Sequence, residues 1–443
     1  MQLRTAWLGL ALWAGPALAD DVAQQWQQVS EAGIAQANEG DLVAAERSMR
    51  EALALAQQLP GDDPRRATSA NNMGFVLHAE GRTGEALEFY AEALSLRDAS
   101  LGPNHPATAQ SLNNLAEALR SEGRRDEAEK LHRRAIEIRR TRLAPNHPDL
   151  AESLNNLGVL LTDEGRFDEA DSLFAEALAI RTATLGEQHS AVAEVLGNQG
   201  ALAFARGRYE EAERLQRRAL AIEEATHGAD DPAVAFALHN LAQVLMAQGK
   251  AEEAAAQLER AVAVRTSSLG PDRPETAQSQ HALALALLAS GQPERAAPLL
   301  TESLATRERL LGPSSPELAS ALADLAELRR RQGDFEAALP LLQRAVRIQE
   351  GAFGPDDPRL AVNLNNLALL QTDRGAWRDA EPLLARALRI ETAARGPDSP
   401  ELIATLENQA VVLDRLDRSD EAEAARHRAA AIKLAATPQA PTA

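Results

Sequence analysis

The chain contains no cysteine. Disulfides, thiolate zinc sites, iron–sulfur clusters, cysteine nucleophiles and an acylated-cysteine anchor are excluded on that ground, although the redox compartment is left open. Aromatic residues are scarce, at 3%, so a core must come from close packing of slender aliphatic side chains. Positive charge is in the minority: 46 Lys and Arg stand against 65 Asp and Glu, for a formal net charge of -19. Such a surface repels phosphate backbones and anionic headgroups. No Lys/Arg-rich tract offsets it, so nucleic acid is not an expected partner. Catalytic signatures are missing as well: no HExxH, GxSxG, GxGxxG or Walker loop occurs, and no catalytic residue is assigned.

Only one long apolar run exists. "MQLRTAWLGLALWAGPALA" carries a positive charge at Arg4, an apolar stretch from Ala6 to Ala14, a Gly15-Pro16 breaker and the small-x-small tripeptide Ala17-Leu18-Ala19. That order is expected of a cleavable signal peptide over residues 1–19, cut after Ala19. The run is too short to span a bilayer comfortably. An exported protein, periplasmic or secreted, without membrane insertion is the expectation, and the Ala/Arg-rich style is bacterial.

What the chain has in abundance is itself. "SLNNLAEALRSEGRRDEAEKLHRRAIEIRR" at Ser111 returns forty-two residues later as "SLNNLGVLLTDEGRFDEADSLFAEALAIRT". The step holds without insertion from Leu59 to Leu434 and defines nine units, preceded by a looser one over residues 20–58; residues 435–443 read as a disordered tail. Each unit opens with a loop, and in eight of the nine a Pro follows, as at Pro64, Pro106, Pro148 and Pro232, where the first turn of a helix tolerates the missing N–H. Asp63, Asp231, Ser315, Asp357 and Ser399 precede that Pro and suit an N-cap. Apolar residues then recur at helical spacing, as at Leu112, Leu115, Ala116 and Leu119. A Gly ends this helix A at Gly81, Gly123, Gly165, Gly207, Gly249, Gly291, Gly333 and Gly375, with Asp417 in the last unit. Helix B follows. Its columns Ala86, Ala128, Ala170 and Ala93, Ala135, Ala177 place small residues two turns apart, so that neighbouring backbones approach closely.

These columns, the Leu-x2-Leu-Ala/Gly-x2-Leu core and the Gly turn resemble tetratricopeptide repeats. The forty-two-residue form resembles the kinesin-light-chain type. The resemblance implies an all-α, right-handed superhelical solenoid of about ten helix-turn-helix hairpins, with helices A on the concave face. It also implies a non-enzymatic scaffold or adaptor that binds a partner protein.

Two amide columns run through helix A. The first reads Asn71, Asn113, Asn155, Gly197, His239, His281, Ala323; the second reads Asn72, Asn114, Asn156, Asn198, Asn240, Ala282, Asp324. Asn is a poor helix former, so something compensates. Either each amide fixes the stacking of neighbouring helices, or the ladder grips the backbone of an extended peptide, which an amide can do whatever the peptide's sequence. In the resembled family, Asn at the matching position contacts bound peptides. The expected groove residues are therefore Asn72, Asn114, Asn156, Asn198, Asn240, Asn113 and Asn155, with Phe204 and Phe236 as apolar anchors. Gln110, Glu117, Glu152, Asp163, Glu194 and Gln243 are expected beside them, and Lys and Arg are scarce there. A neutral or basic partner segment is expected. The alternative function is an assembly or secretion component acting through its convex face or by self-association. His105, His147 and His189 share one column; they read as loop residues rather than metal ligands, and neither metal nor cofactor is expected. Phe167, Tyr209, Phe335 and Trp377, two residues after the turn Gly, read as structural plugs.

Overall fold

Prolines and glycines set most of the helix boundaries. The computed structural model of the chain describes residues 17–436, all of whose regular elements are helices. The chain divides into two compact units, Met1–Gln248 and Gly249–Ala443. The first holds α1 (Ala17–Asn38), α2 (Leu42–Gln57), α3 (Pro64–Ala79), α4 (Thr83–Leu101), α5 (Pro106–Ser121), α6 (Arg125–Arg142), α7 (Pro148–Asp163), α8 (Phe167–Leu185), α9 (Ser190–Ala205), α10 (Tyr209–His227) and α11 (Pro232–Ala247). The second holds α12 (Ala251–Ser268), α13 (Pro274–Ala289), α14 (Pro293–Leu311), α15 (Leu318–Arg331), α16 (Phe335–Phe353), α17 (Leu360–Asp373), α18 (Trp377–Arg395), α19 (Leu402–Arg415) and α20 (Ser419–Ala436). Within each unit consecutive helices pack on one another in chain order. The A helices also touch the next A helix: α3 with α5, α5 with α7, α7 with α9, α9 with α11, and likewise α15 with α17 and α17 with α19. The result is a stack of consecutive helix pairs, about ten repeats of the expected all-α type.

Helix starts follow two patterns. At α3, α5, α7, α11 and α13 the Pro occupies the first turn. At α15, α17 and α19 the regular helix begins two residues after Pro316, Pro358 and Pro400. There the first turn is tightened by three-residue bonds, such as Ala319 N–H to Pro316 O at 3.2 Å and Ala361 N–H to Pro358 O at 3.2 Å. That is the usual way for a helix end to satisfy its own orphan groups. Asp63 and Asp231 cap as expected, accepting from Arg65 N at 2.9 Å and Ala233 N at 2.7 Å. His105, His147 and His189 do the same work: their Nδ1 atoms accept from Ala107 N at 3.1 Å, Asp149 N at 3.2 Å and Ala191 N at 3.1 Å. The histidine column is thus a set of N-caps.

Helix A stops where the chain turns left-handed, as at Gly165 with φ 75°. Arg166 N–H then reaches back to Leu161 O at 2.9 Å and closes a Schellman-type cap. Asp417 takes the same conformation at φ 60° in the last repeat.

Size matching between helices A and B builds the core. Ala86, Ala128, Ala170, Ala212, Ala254, Ala296, Ala338, Ala380 and Ala422 are all fully buried. A second column pairs a small residue on helix A with a large one sixteen residues on. Gly74 faces Tyr90, Gly158 faces Phe174 and Gly200 faces Gln216, and a Cβ at Gly158 would come within 2.6 Å of the Phe174 ring. Phe167, Phe335 and Trp377 pack, partly buried, against neighbouring core clusters, as plugs should.

The chain ends differ slightly from expectation. Residues 1–16 of the expected signal peptide lie outside the described residues, and Ala17–Ala19 begin α1. Helix α20 continues through Ala436, because Ala429 and Ile432 are buried in the last core cluster and carry the helix on. The first two residues of the expected tail, 435 and 436, are therefore helical, and residues 437–443 lie outside the described residues.

Candidate binding cavity

Hydrogen bonds between repeats supply the compensation that helix A's asparagines require. Asn114 on α5 donates Nδ2–H to Asn71 Oδ1 on α3 at 2.7 Å. Asn198 on α9 donates to Asn155 Oδ1 on α7 at 2.9 Å. Each link joins the second column of one repeat to the first column of the repeat before it. In the second unit the same step joins His281 on α13 to Asp324 on α15, with Nε2 and Oδ2 2.7 Å apart. The run of Asn ends at Ala282 and Asp324, but the interhelix link continues with a different donor and acceptor.

The first column has further partners. Asn113 donates to Ser153 Oγ at 2.7 Å and accepts from His132 Nδ1 at 3.1 Å. Asn155 donates to Glu194 Oε1 at 3.0 Å. Where the column holds Gly197, Gln216 on α10 donates to the Gly197 carbonyl at 2.9 Å instead.

Burial then divides the ladder into two kinds of rung. Asn71, Asn72, Asn113, Asn114 and Asn155 are no more than 8% exposed. Asn156, Asn198 and Asn240 are half-buried. Among the described residues no side-chain hydrogen bond engages Asn156 or Asn240, and Asn198 uses only an amide N–H, toward Asn155.

The half-buried rungs open onto a cavity of about 450 Å³ in the first unit. Asn113, Asn114, Asn155, Asn156, Asn198 and Asn240 line it, and Phe75, Tyr90, Val159 and Phe236 supply apolar wall. Seven of the nine expected groove residues are thus brought together. Asn72 is not one of them: it lies inside the stack and accepts from Asn71 Nδ2 at 3.5 Å. Forty-three residues before it stands Val29, which has no polar group to link to. Phe204 is not one either. It is the last residue but one of α9, and its ring lies 5.5 Å from that of Tyr209, away from the cavity lining.

Carboxylates face the cavity in held positions. Glu117 takes a two-pronged contact from Arg120, with bonds of 2.6 and 3.0 Å, and Arg120 also reaches Asp163 at 2.7 Å. Burial works against the Arg120 charge, but these two carboxylates outweigh it and shift the guanidinium further toward its protonated form. Glu152 meets the fully buried Arg139 at 3.1 Å. Burial nevertheless raises the Glu152 carboxyl above its ordinary range, with Arg139 opposing the rise. Glu194 Oε2 accepts from Arg181 at 3.1 Å. Among the described residues Arg120 is the single Arg or Lys on the cavity lining, and two buried arginines, Arg139 and Arg181, stand behind it.

Those arginines belong to a column that the sequence reading missed. Arg97, Arg139, Arg181 and Arg265 recur near the end of helix B, and each donates to the carbonyl ten residues on, in the first turn of the next helix A. The partners are Ala107, Asp149, Ala191 and Glu275. Three of them also reach the Ser fourteen residues on: Ser111 at 3.0 Å, Ser153 at 2.8 Å and Ser279 at 2.7 Å. Desolvation brings Arg97 down to about 10. The forty-two-residue spacing of these arginines was the signal, but charged residues are rarely expected inside.

Among the described residues no three His, Asp or Glu side chains gather as a metal site. No helix there is long and apolar enough to cross a membrane.

Comparison with known proteins agrees with this architecture. The family model of the tetratricopeptide repeat matches nine overlapping stretches, from residues 29–98 to residues 359–435. No curated protein matches the chain. Among solved structures, kinesin-light-chain TPR-like repeats from Podosopora anserina are 29% identical, covering 46% of this chain and 97% of that one, with a TM-score of 0.43. The apo quorum sensor NprR from B. thuringiensis is 14% identical over 76% of this chain and 89% of that one, with a TM-score of 0.56. A Rap protein complexed with Competence and Sporulation Factor is 13% identical over 94% and 98%, with a TM-score of 0.50.

Proposed function

The chain belongs to the tetratricopeptide repeat family, and from that premise we propose that it is a non-enzymatic scaffold whose first unit holds an extended segment of a partner polypeptide. One observation carries the reading: Asn156 and Asn240 project uncommitted amides, beside the Phe236 ring, into a cavity of about 450 Å³. A cavity of that size is in the range that encloses a small ligand or a few residues of chain. An amide offers both donor and acceptor to a passing peptide group, and the half-buried Phe236 ring supplies an anchor. The net charge of -19 favours a neutral or basic segment over nucleic acid. The Rap protein that shares the fold was solved with a bound factor, and the same use of a repeat array is proposed for this chain.

The test exchanges Asn156 and Asn240 for Ala together and leaves the packing residue Asn114 alone. A photoreactive phenylalanine at position 236 then reports on occupancy in a bacterial extract. The double variant is expected to lose the crosslinked partner while its circular dichroism stays unchanged. Undiminished crosslinking would sink the reading. Export belongs to the same proposal, and fractionation of cells expressing the full chain tests it: a product retained in the cytoplasm with Met1 intact contradicts it.

A further inference from the structure

Two side chains on helices B reach the cavity beside the Asn ladder, and each brings a polar atom that the fold does not use. Tyr90 on α4 and Gln216 on α10 are both 2% exposed, and both line the cavity. They share a column with His132, Phe174 and Leu258 of other repeats. His132 spends its Nδ1 on Asn113 at 3.1 Å, and Phe174 and Leu258 have no polar atom to satisfy. Tyr90 packs its ring against Gly74 as Phe174 does against Gly158, so the hydroxyl is additional to the packing. Among the described residues no hydrogen bond engages that hydroxyl. Burial, with the Glu117 charge nearby, raises it above the ordinary range of a phenol and keeps it protonated. Gln216 donates to the Gly197 carbonyl at 2.9 Å, while no bond among the described residues reaches its Oε1. Buried polar groups are ordinarily satisfied within the chain; these two open onto the cavity instead.

The charged groups of the lining are already engaged. Glu117, Glu152, Glu194 and Glu223 each have a nitrogen of the chain within 3.4 Å, from Arg120, Arg139, Arg181 and His227 respectively. Arg120 is held by Glu117 and Asp163. What is left for a ligand is neutral: the Tyr90 hydroxyl, Gln216 Oε1, Asn198 Oδ1 and the amides of Asn156 and Asn240.

We propose that Tyr90 and Gln216 are recognition residues of the groove and that the segment they read is uncharged, with amide or hydroxyl side chains such as Gln or Ser facing the cavity. The Tyr90 hydroxyl donates to an oxygen of the segment, and Gln216 Oε1 accepts an N–H or O–H from it. A charged side chain would give up its water without an unengaged counter-charge to meet. An uncharged amide exchanges its hydrogen bonds to water for bonds to these groups. The inference rests on the proposed groove function and names the chemistry of its ligand.

The experiment titrates the full chain by calorimetry with three blocked decapeptides, alternating alanine with glutamine, lysine or glutamate, at about 0.15 M salt. The glutamine peptide is expected to bind about tenfold or more tightly than either charged peptide. Tyr90→Phe keeps the ring against Gly74 and removes only the hydroxyl. It is expected to weaken the glutamine peptide about fivefold or more, with circular dichroism unchanged. Gln216→Leu is expected to act in the same direction; should it fail to fold, Tyr90→Phe decides alone. Equal or tighter binding of a charged peptide overturns the inference, as does no binding of any peptide at millimolar concentration. If the glutamine peptide is lost in the Asn156/Asn240 double variant but keeps its full affinity in Tyr90→Phe, the groove function stands and the recognition role falls.

Discussion

Asn114 donates its Nδ2–H to the Oδ1 of Asn71 across 2.7 Å, forty-three residues away in the chain. Because the step is forty-three rather than forty-two, the link is diagonal: it joins two columns and so locks one repeat's rotation against the next. Both amides are buried. Removing one leaves the other unpaired away from water, which costs about 1–3 kcal/mol. Asn156 has no such partner among the described residues, so its loss should stay within about 0.5 kcal/mol. Asn114→Ala is therefore expected to lower the urea midpoint clearly and Asn156→Ala hardly at all. Equal losses would refute the division of the ladder into packing and cavity-facing rungs.

Gly158 and Phe174 make a second test, because their sizes are coupled. A Cβ at position 158 would stand 2.6 Å from the Phe174 ring, so the ring or the helix must move. Gly158→Ala is expected to destabilise the fold by about 1–3 kcal/mol, even though alanine is the better helix former. Four repeats with Ala at this helix A position carry Leu opposite: Ala242 with Leu258, Ala284 with Leu300, Ala326 with Leu342 and Ala368 with Leu384. Adding Phe174→Leu should therefore recover much of the loss. Thermal unfolding of the two single variants and the double variant measures the coupling.

The contrast between these features and the arginine column shows what a sequence can reveal. Ala128 and Gly165 were legible because each obeys one steric demand that one residue type meets best: a close helix approach, or a left-handed turn. The amide ladder was legible as a pattern, but its two roles were not, since Asn113 and Asn156 look alike until burial and partners are known. Phe204 misled for a related reason. Its place on helix A suggested the groove, but at the helix end the side chain meets Tyr209 at the start of helix B. Arg139 was hidden by the rule that charges stay outside; a carbonyl, a Ser hydroxyl and Glu152, all supplied by the next repeat, make its burial tolerable. His147 was hidden because an N-cap is usually a short oxygen-bearing side chain, whereas here Nδ1 accepts the amide hydrogen.

Acid should expose the cost of burying His132. The side chain is fully enclosed between α5 and α6, where Nδ1–H serves Asn113 Oδ1. Burial, then the charges of Arg120 and Arg139, push the imidazole down to about 3. His78 is lowered as well, chiefly by burial. In the unfolded chain an imidazole titrates near about 6.5. The sign follows directly: below that pH the unfolded state takes up a proton that the folded state refuses. Stability is therefore retained above the unfolded value and falls as the pH drops, at about 1.4 kcal/mol per pH unit for His132 alone, until the folded value is reached. His132→Leu, the residue found at this column in later repeats such as Leu300, removes that slope. It also removes the bond to Asn113, a loss of about 1 kcal/mol that does not vary with pH. Urea unfolding at several pH values between neutrality and about 5 should show the variant's deficit shrinking on acidification, while His78 contributes equally to both proteins. A deficit that stays constant with pH would mean that His132 titrates normally in the folded state, contrary to its burial.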